Sequence, residues 1–190
     1  MHDQVTIIDF GSQYTQLIAR KVRELYIYCE IHPYSHLPEM DESVKGIILS
    51  GSPYSVSEES APKLDLLNDL PSVPLLGICY GAQLIARQLG GSIQASNARE
   101  YGRSYLNVGN GTSHLLENIE EDSQVWMSHG DSILSLPASC QVMATNQEEV
   151  IAAFKYEENL AYGIQFHPEV THTEQGSTLL QNFLENICGI

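Results

Sequence analysis

One cysteine of this chain lies in a pattern typical of a catalytic nucleophile. Gly77-Ile78-Cys79-Tyr80-Gly81 connects a short apolar run directly to a predicted helix. Small residues on both sides permit the sharp turn of a nucleophile elbow, because the strand and helix backbones approach closely there. The turn places Cys79 at a helix N-terminus, where the dipole favours a thiolate, and aims the Tyr80 N–H at a developing oxyanion. The alternative is an inert buried cysteine.

A thiol nucleophile requires a base and a group that orients the base. Among the seven histidines, His167 ends a predicted strand at residues 161–166, and Glu169 follows two residues later. Because residues i and i+2 of an extended chain share a face, Glu169 is expected to hold the His167 ring in one tautomer. Two alternatives are an ordinary strand-end histidine and a metal cluster that adds His172 and Glu174. The cluster lacks a helical pair of histidines at i and i+4, so no metal site is predicted.

Two further segments follow predicted strands and are expected to face the same mouth. Ser50-Gly51-Ser52-Pro53 comes at the end of the strand predicted at 46–51, where its N–H groups would supply a second oxyanion donor. Ser128-His129-Gly130-Asp131 is predicted as a loop after a strand at 124–127. It would present backbone N–H groups to a carboxylate substrate. Each segment also fits a plain turn.

These residues need a scaffold that brings the ends of several strands together. Short apolar runs predict strands at residues 5–10, 26–32, 46–51 and 73–78. Helical patterns lie at residues 14–25, 62–70 and 81–89. This alternation implies an α/β fold in which helices cover a mostly parallel central sheet.

The second half of the chain changes character. Strand candidates lie at residues 92–95, 104–108, 124–127, 141–144, 150–156 and 161–166. They are expected to add antiparallel strands to the sheet, and a closing helix is predicted at 174–187. The length of 190 residues and the lack of a linker indicate one domain over residues 1–190.

Composition excludes several functions. The formal charge is −15, and after Arg103 the only Lys or Arg is Lys155, so a nucleic acid or an anionic membrane surface is not an expected partner. No segment has the length of a membrane span or the order of a signal peptide. The four cysteines form no C-x-x-C pair, which is typical of reduced cytoplasmic thiols. No phosphate-binding glycine motif for ATP or a dinucleotide occurs.

Several of these segments together resemble the class I, triad-type glutamine amidotransferases. The resemblance rests on the Cys79 elbow, on Phe166-His167-Pro168-Glu169 and on the Ser-Gly-Ser-Pro segment. Three segments are similar to the glutaminase domains of GMP synthetases: the opening Asp9-Phe10-Gly11-Ser12-Gln13-Tyr14, then Met127–Asp131, and then His167-Pro168-Glu169-Val170-Thr171-His172-Thr173. The resemblance covers essentially the whole chain and implies the flavodoxin-like fold of that family.

The resemblance implies a function for each motif. Cys79 would attack the carboxamide of glutamine, and Ser52 and Tyr80 would hold the oxyanion. His167, oriented by Glu169, would carry protons. The substrate would be held by residues Gly51, Gln83, Ser128, His129, Gly130 and Asp131. The ammonia would pass to an ATP pyrophosphatase (synthetase) domain or subunit that aminates XMP to GMP; ATP and Mg²⁺ belong to that part, so no cofactor is expected in this chain.

The sequence departs from this pattern in two ways. The family usually has Gly-Gly-Pro where this chain has Gly51-Ser52-Pro53, and a side chain at Ser52 would hinder a backbone flip there. The synthetase part does not occur in this sequence, so the chain is either a separate subunit or, as its opening favours, a domain of a longer protein. Two other functions stay open: a related γ-glutamyl thiol hydrolase, and an inactive or partner-gated interaction module.

Overall fold

The computed structural model describes residues 2–109, 113–156, 158 and 160–190, and for residues 96–100 the backbone alone. The strands of this part are β1 Gln4–Asp9, β2 Tyr28–Pro33, β3 Val44–Leu49, β4 Leu75–Ile78, β5 Ser92–Val108, β6 Gln124–Ser135, β7 Cys140–Asn146, β8 Ile151–Tyr156 and β9 Ala161–Ile164. The α-helices are α1 Thr15–Glu24, α2 Tyr80–Gln88 and α3 Gly176–Gln181; α3 continues as a π-helical segment, Asn182–Ile187. A 3₁₀ turn, His114–Leu116, precedes β6.

One half of the sheet is parallel, and the predicted site residues lie at the carboxyl ends of its strands. Within the described residues the strand order is β2-β1-β3-β4-β9-β8-β7-β5-β6. Strands β2, β1, β3, β4 and β9 pair in parallel, and Leu49 lies beside Gly77 while Ile78 lies beside Ile164. The segments that follow β3, β4 and β9 therefore leave the sheet side by side. This α/β architecture confirms the predicted fold class.

The other half is antiparallel, as predicted, but β5, β6 and β7 are longer than the sequence indicated. The two strands predicted at 92–95 and 104–108 belong to the single strand β5. It pairs with β6 over most of its length and with β7 at Leu106–Val108. The exchange of partners extends the strand, because each stretch finds a ladder that a local pattern does not reveal.

The helices divide over the two faces of the sheet. Ile18 and Val22 of α1 share one core with Leu180 and Phe183 of the closing helix. The opposite core contains Ile85 of α2 and residues of the long segment between β3 and β4, such as Val56 and Leu64. Both faces of the inner parallel strands β1, β3, β4 and β9 are thus mostly buried, which explains why their sequences are mainly apolar. The edge strand β2 is partly exposed and contains Glu30 and His32.

The helix predicted at 62–70 does not form; the segment is a series of turns. The Asp65 carboxylate accepts hydrogen bonds from the Leu67 and Asn68 N–H groups, at 3.1 and 3.2 Å. Gln88 of α2 donates to the Leu64 carbonyl and accepts from the Leu66 N–H. These bonds take up backbone groups that a helix would use, a competition common for aspartate.

No helix in the described part of the chain has both the length and the apolar character required to cross a lipid bilayer.

Candidate active site

Cys79 lies on a strained turn between β4 and α2. Its φ of 53° and ψ of −104° lie in a region that L-residues rarely adopt. The turn is anchored because the Cys79 N–H donates to the Ile164 carbonyl of β9 at 2.8 Å. The Sγ atom lies 3.8 Å from the Ser128 carbonyl oxygen of β6. This is the elbow geometry predicted from the sequence, and strain of this kind clusters at functional sites.

Two glycines make the elbow possible. A Cβ at Gly77 would lie 2.5 Å from the Gly81 carbonyl carbon, and a Cβ at Gly81 would lie 2.6 Å from the Leu49 carbonyl oxygen. The Gly81 N–H donates to the Ser50 carbonyl at 3.1 Å, which ties the start of α2 to the end of β3. Side chains at these positions would separate the helix from the sheet.

His167 and Glu169 form a buried pair. The His167 Nδ1 lies 2.7 Å from the Glu169 Oε1, and the two residues are 3% and 2% exposed. The main chain of His167 is fixed as well, because its N–H donates to the Trp126 carbonyl at 3.0 Å and its carbonyl accepts from the Thr173 hydroxyl at 2.6 Å. The imidazole is therefore held in one orientation, with Nδ1 committed to the carboxylate.

The charge of His167 depends on its neighbours. Burial by itself would lower its pKa, but the Glu169 carboxylate and a hydrogen bond with the Cys79 sulfur outweigh burial and raise the pKa to about 10. At neutral pH the ring carries a proton in this arrangement, balanced by the carboxylate. Such a histidine beside a cysteine can hold the thiol proton and return it to a leaving group.

Gly51 and Ser52 follow β3 and lie at the same edge. A Cβ at Gly51 would lie 3.3 Å from His167 Cε1, so the glycine permits the imidazole to pack against the main chain. Ser52 is not among the residues with positive φ, and its Oγ accepts a hydrogen bond from the Tyr54 N–H at 3.3 Å. The serine therefore occupies an ordinary conformation.

Tyr80 contributes to the site through its main chain. Its side chain is 1% exposed and its hydroxyl donates to the Pro62 carbonyl at 2.5 Å, on the far side of α2 from the sulfur. Burial raises the pKa of this phenol to about 12. Its N–H belongs to the first turn of α2, where backbone N–H groups lack partners within the helix.

The segment Ser128–Asp131 lies inside β6, and the prediction of a loop is wrong. The sequence has the polar residues of a turn, but β5 provides a ladder on which they continue as a strand. The ladder shifts register here: Asp131 pairs with Ala95 and His129 with Glu100. The irregularity falls opposite Gly130, which leaves the main chain there outside the regular pairing.

Gln83 of α2 is held by two acceptors. Its Nε2 donates to the Asp131 carbonyl at 2.9 Å and to the Gln165 Oε1 at 3.3 Å. No donor among the described residues reaches the Gln83 Oε1, so this oxygen is left to accept a hydrogen bond from a ligand. The sequence analysis missed Gln165, although its position two residues before His167 on an extended segment was a usable signal.

His129 is a second buried histidine, and its pKa is shifted in the opposite direction from that of His167. Burial lowers its pKa to about 4, and the positive charge of His167 lowers it further. A hydrogen bond of the ring with the Asp131 main chain acts in the opposite direction but does not offset burial. His129 is therefore neutral at pH 7. Oδ2 of Asp131 is buried and has no hydrogen-bond partner among the described residues, so it can receive a cationic group of a ligand.

These residues share one cleft of about 770 Å³. The predicted residues that line it are Ser52, Cys79, Tyr80, Gln83, Ser128, His129, Gly130, Asp131 and His167. Gly51 lies behind His167, and Glu169 is buried beneath it. Tyr14, the first residue of the helix predicted at 14–25, also lines the cleft and contacts the His167 ring, with centroids 5.0 Å apart. The cleft has room for an amino acid.

The residues considered for a metal cluster do not converge. His172 packs its ring against Trp126, with centroids 4.6 Å apart. In the part of the chain that the structure describes, no three His, Cys, Asp or Glu side chains are arranged to hold a metal ion.

Known proteins resemble the chain over its whole length. The family described as "Glutamine amidotransferase class-I" matches residues 6–187. A glutamine-hydrolysing GMP synthase of Cytophaga hutchinsonii is 54% identical over 189 residues, and one of Bacteroides fragilis is 49% identical over 189 residues. Each alignment covers 100% of this chain and 37% of the relative. The chain thus spans about a third of the length of these relatives, and they do not favour the γ-glutamyl hydrolase or the inactive module.

Solved structures agree with the fold. A putative GMP synthase subunit from Thermoplasma acidophilum superposes with a TM-score of 0.80 at 26% identity, and the match covers 99% of this chain and 94% of that one. A glutamine amidotransferase from Thermotoga maritima has a TM-score of 0.77 at 22% identity and covers 100% of both chains. The elbow, the buried histidine–glutamate pair and these matches lead to one conclusion: the chain belongs to the class I glutamine amidotransferase family.

Proposed function

We propose that this chain hydrolyses glutamine to glutamate and ammonia through a thioester on Cys79. The observation that carries the proposal is the position of Cys79 on a strained elbow beside the buried His167–Glu169 pair. The cleft around the sulfur offers hydrogen-bond acceptors and main-chain groups suited to a small zwitterion.

The reaction has two halves. The thiol proton is held on His167 when the sulfur attacks the carboxamide carbon; the resulting oxyanion accepts hydrogen bonds from the N–H groups of Ser52 and Tyr80. His167 then donates this proton to the nitrogen, the C–N bond breaks, and ammonia leaves a glutamyl thioester. Water loses a proton to His167 and attacks the thioester, the C–S bond breaks, and glutamate leaves with a proton once more on His167. Glu169 keeps the imidazolium oriented in both halves.

The substrate is bound through its α-amino and α-carboxylate groups. Gln83 Oε1 and the Asp131 carboxylate accept hydrogen bonds from the ammonium, which offsets the repulsion between an acidic protein and an amino acid. The main chain of Ser128, His129 and Gly130 faces the α-carboxylate at the register shift of β6.

The ammonia is destined for a synthetase. The relatives named as GMP synthases are longer than this chain, so we propose that residues 1–190 form one glutaminase domain. It works with an ATP pyrophosphatase domain or subunit that aminates XMP to GMP. ATP and Mg²⁺ are bound by that partner, and the glutaminase step uses no cofactor. The four free cysteines support a cytoplasmic location.

The test is replacement of the nucleophile. Cys79→Ala is expected to abolish release of glutamate from glutamine while the folded state persists, as shown by circular dichroism. Cys140→Ala, at a half-buried cysteine outside the cleft, is the matched control and should retain the parent rate. Activity of Cys79→Ala above a few per cent of the parent rate would refute the thioester mechanism.

A further inference from the structure

One aromatic contact of His167 has no part in the mechanism above. The Tyr14 and His167 rings lie 5.0 Å apart with an interplanar angle of 68°, an edge-on arrangement. An edge-to-face pair of rings is attractive, because the positive edge of one ring meets the negative face of the other. Tyr14 is half-buried and lines the cleft on the side of the histidine.

The chain fixes Tyr14 through a small network after β1. The Asp9 carboxylate accepts from the Gly11 N–H at 2.9 Å and from the Thr15 hydroxyl at 2.7 Å. The Ser12 hydroxyl oxygen accepts from the Tyr14 N–H at 3.0 Å. Tyr14 itself is the N-cap of α1, but its side chain makes no capping hydrogen bond. The ring is therefore placed for a contact outside its own helix.

The contact completes the surroundings of the imidazole. Nδ1 is committed to Glu169, the Cys79 sulfur is close enough to help raise the pKa of the ring, and Cε1 packs beside Gly51. Tyr14 covers a remaining side, which faces the cleft and its water. A displacement of the ring by about one ångström would disturb the thiol–imidazole geometry on which proton transfer depends.

We propose that Tyr14 is a positioning residue for His167: its ring holds the imidazole in place beside the Cys79 sulfur. The proposal deepens the glutaminase function and rests on it for the catalytic consequence. The contact with the aromatic ring, and not the phenol hydroxyl, is the operative feature.

The experiment compares Tyr14→Ala and Tyr14→Phe in the 190-residue chain. Two rates are measured: hydrolysis of glutamine, separated into kcat and KM, and alkylation of Cys79 by iodoacetamide, followed by mass spectrometry of the Cys79 peptide. His167→Ala sets the alkylation rate of a sulfur without its histidine. Tyr26→Ala is the matched control, because Tyr26 follows the other end of α1 and is 99% exposed.

Tyr14→Ala is expected to lower kcat and the alkylation rate by about 2- to 10-fold, the range of one edge-to-face ring pair, with KM unchanged. Tyr14→Phe and Tyr26→Ala should match the parent in both rates. A rise in KM with unchanged kcat would assign Tyr14 to substrate binding and overturn the proposal. Equal losses in Tyr14→Phe and Tyr14→Ala would assign the effect to the hydroxyl and overturn it as well. The proposal also fails if Tyr14→Ala has the same two rates as the parent.

The two readouts separate this inference from the proposed function. Alkylation by iodoacetamide requires no recognition of glutamine. If the parent chain does not hydrolyse glutamine, yet Tyr14→Ala slows alkylation towards the His167→Ala rate, the glutaminase function fails and the positioning of His167 by Tyr14 stands.

Discussion

Two buried histidines in one cleft have opposite charge states because different forces dominate at each ring. Burial by itself would lower the pKa of His167, but the Glu169 carboxylate and the Cys79 sulfur together outweigh burial and raise the pKa to about 10. At His129, burial outweighs the raising influence of Asp131 and lowers the pKa to about 4. A protonated and a neutral imidazole thus coexist at pH 7, and the proposed proton carrier is the one that keeps a proton.

The roles of His167 and Glu169 can be separated by substitution. His167→Ala is expected to lower kcat for glutamine hydrolysis by about 10²–10⁴-fold, the usual contribution of a general acid–base group. Glu169→Gln keeps a hydrogen-bond acceptor but removes the charge, so the pKa of His167 falls towards its ordinary value and the loss in kcat is smaller. Steady-state kinetics from about pH 6 to 10 measure both effects; equal, complete losses would contradict this division.

His129 gives the folded state a dependence on pH. Its pKa is lower in the folded protein than the ordinary 6.5, so the unfolded chain binds the extra proton first as pH falls. The stability contributed by neutral His129 is complete above pH 6.5 and is lost as pH falls towards 4. The loss amounts to about 3 kcal/mol at most, since one pKa unit corresponds to about 1.4 kcal/mol.

Urea denaturation of the parent and of His129→Gln at pH 7.0, 5.5 and 4.0 tests this. The free energy of unfolding of the parent should fall more steeply than that of the variant over this range. His114→Gln is the control, because the His114 side chain is 77% exposed; it should follow the parent. Parallel curves for the parent and His129→Gln would contradict the assignment.

At the scale of elements, the site depends on how closely α2 approaches β3 and β4. The Gly81 N–H bonds to Ser50 and its Cα faces the Leu49 main chain, so the start of the helix rests on the neighbouring strand. This contact fixes the direction of the elbow and the position of the Cys79 sulfur. The same contact brings the first turn of α2, which contains Tyr80, next to the end of β3.

Gly81→Ala should therefore destabilise the fold far more than a glycine substitution in open space. The added Cβ would meet Leu49 at 2.6 Å, an overlap with main chain, and a cost of about 3 kcal/mol or more is expected. Gly90→Ala is the control: Gly90 has a φ of +93° but no atom within 4 Å, so only backbone strain of about 1–2 kcal/mol applies. Equal free energies of unfolding, measured in urea, would contradict this account.

At the scale of the whole molecule, the cleft is complete before any partner is present. The Cys79 elbow, the His167–Glu169 pair and the hydrogen bonds of Gln83 are all fixed by contacts within the described residues. The formal charge of −15 leaves few cations on the surface. The proposed synthetase partner corresponds to the part of the longer relatives that this chain does not cover. We therefore expect the proposed glutamine site to bind its ligand in the isolated chain.

Diazo-oxo-norleucine, an electrophile that mimics glutamine, tests this independence. Incubation with the chain alone should give a single adduct on Cys79 by mass spectrometry, and addition of the synthetase partner should change only its rate. An adduct that forms only with the partner and its nucleotide would indicate a gated site. If the folded chain gives no adduct either alone or with the partner, the interaction-module alternative would regain support, and Ser52→Gly would be the next variant.

The local part of the site could be predicted from the sequence because its geometry depends on near neighbours. Gly77, Cys79 and Gly81 define a tight turn within five residues, and Glu169 is two residues from His167. The parallel strands were also predictable, because their continuous apolar runs leave few alternatives.

The tertiary structure decided the features that depend on distant partners. Ser128–Asp131 has the residues of a turn, yet the ladder with β5 continues it as a strand. Residues 62–70 have a helical pattern, yet Gln88 and Asp65 take up their main-chain groups. The contacts of Gln165 with Gln83 and of Tyr14 with His167 join residues 82 and 153 positions apart. Hydrogen bonds and ring contacts at such separations leave no periodic trace in a sequence, because only the packed fold brings their partners together.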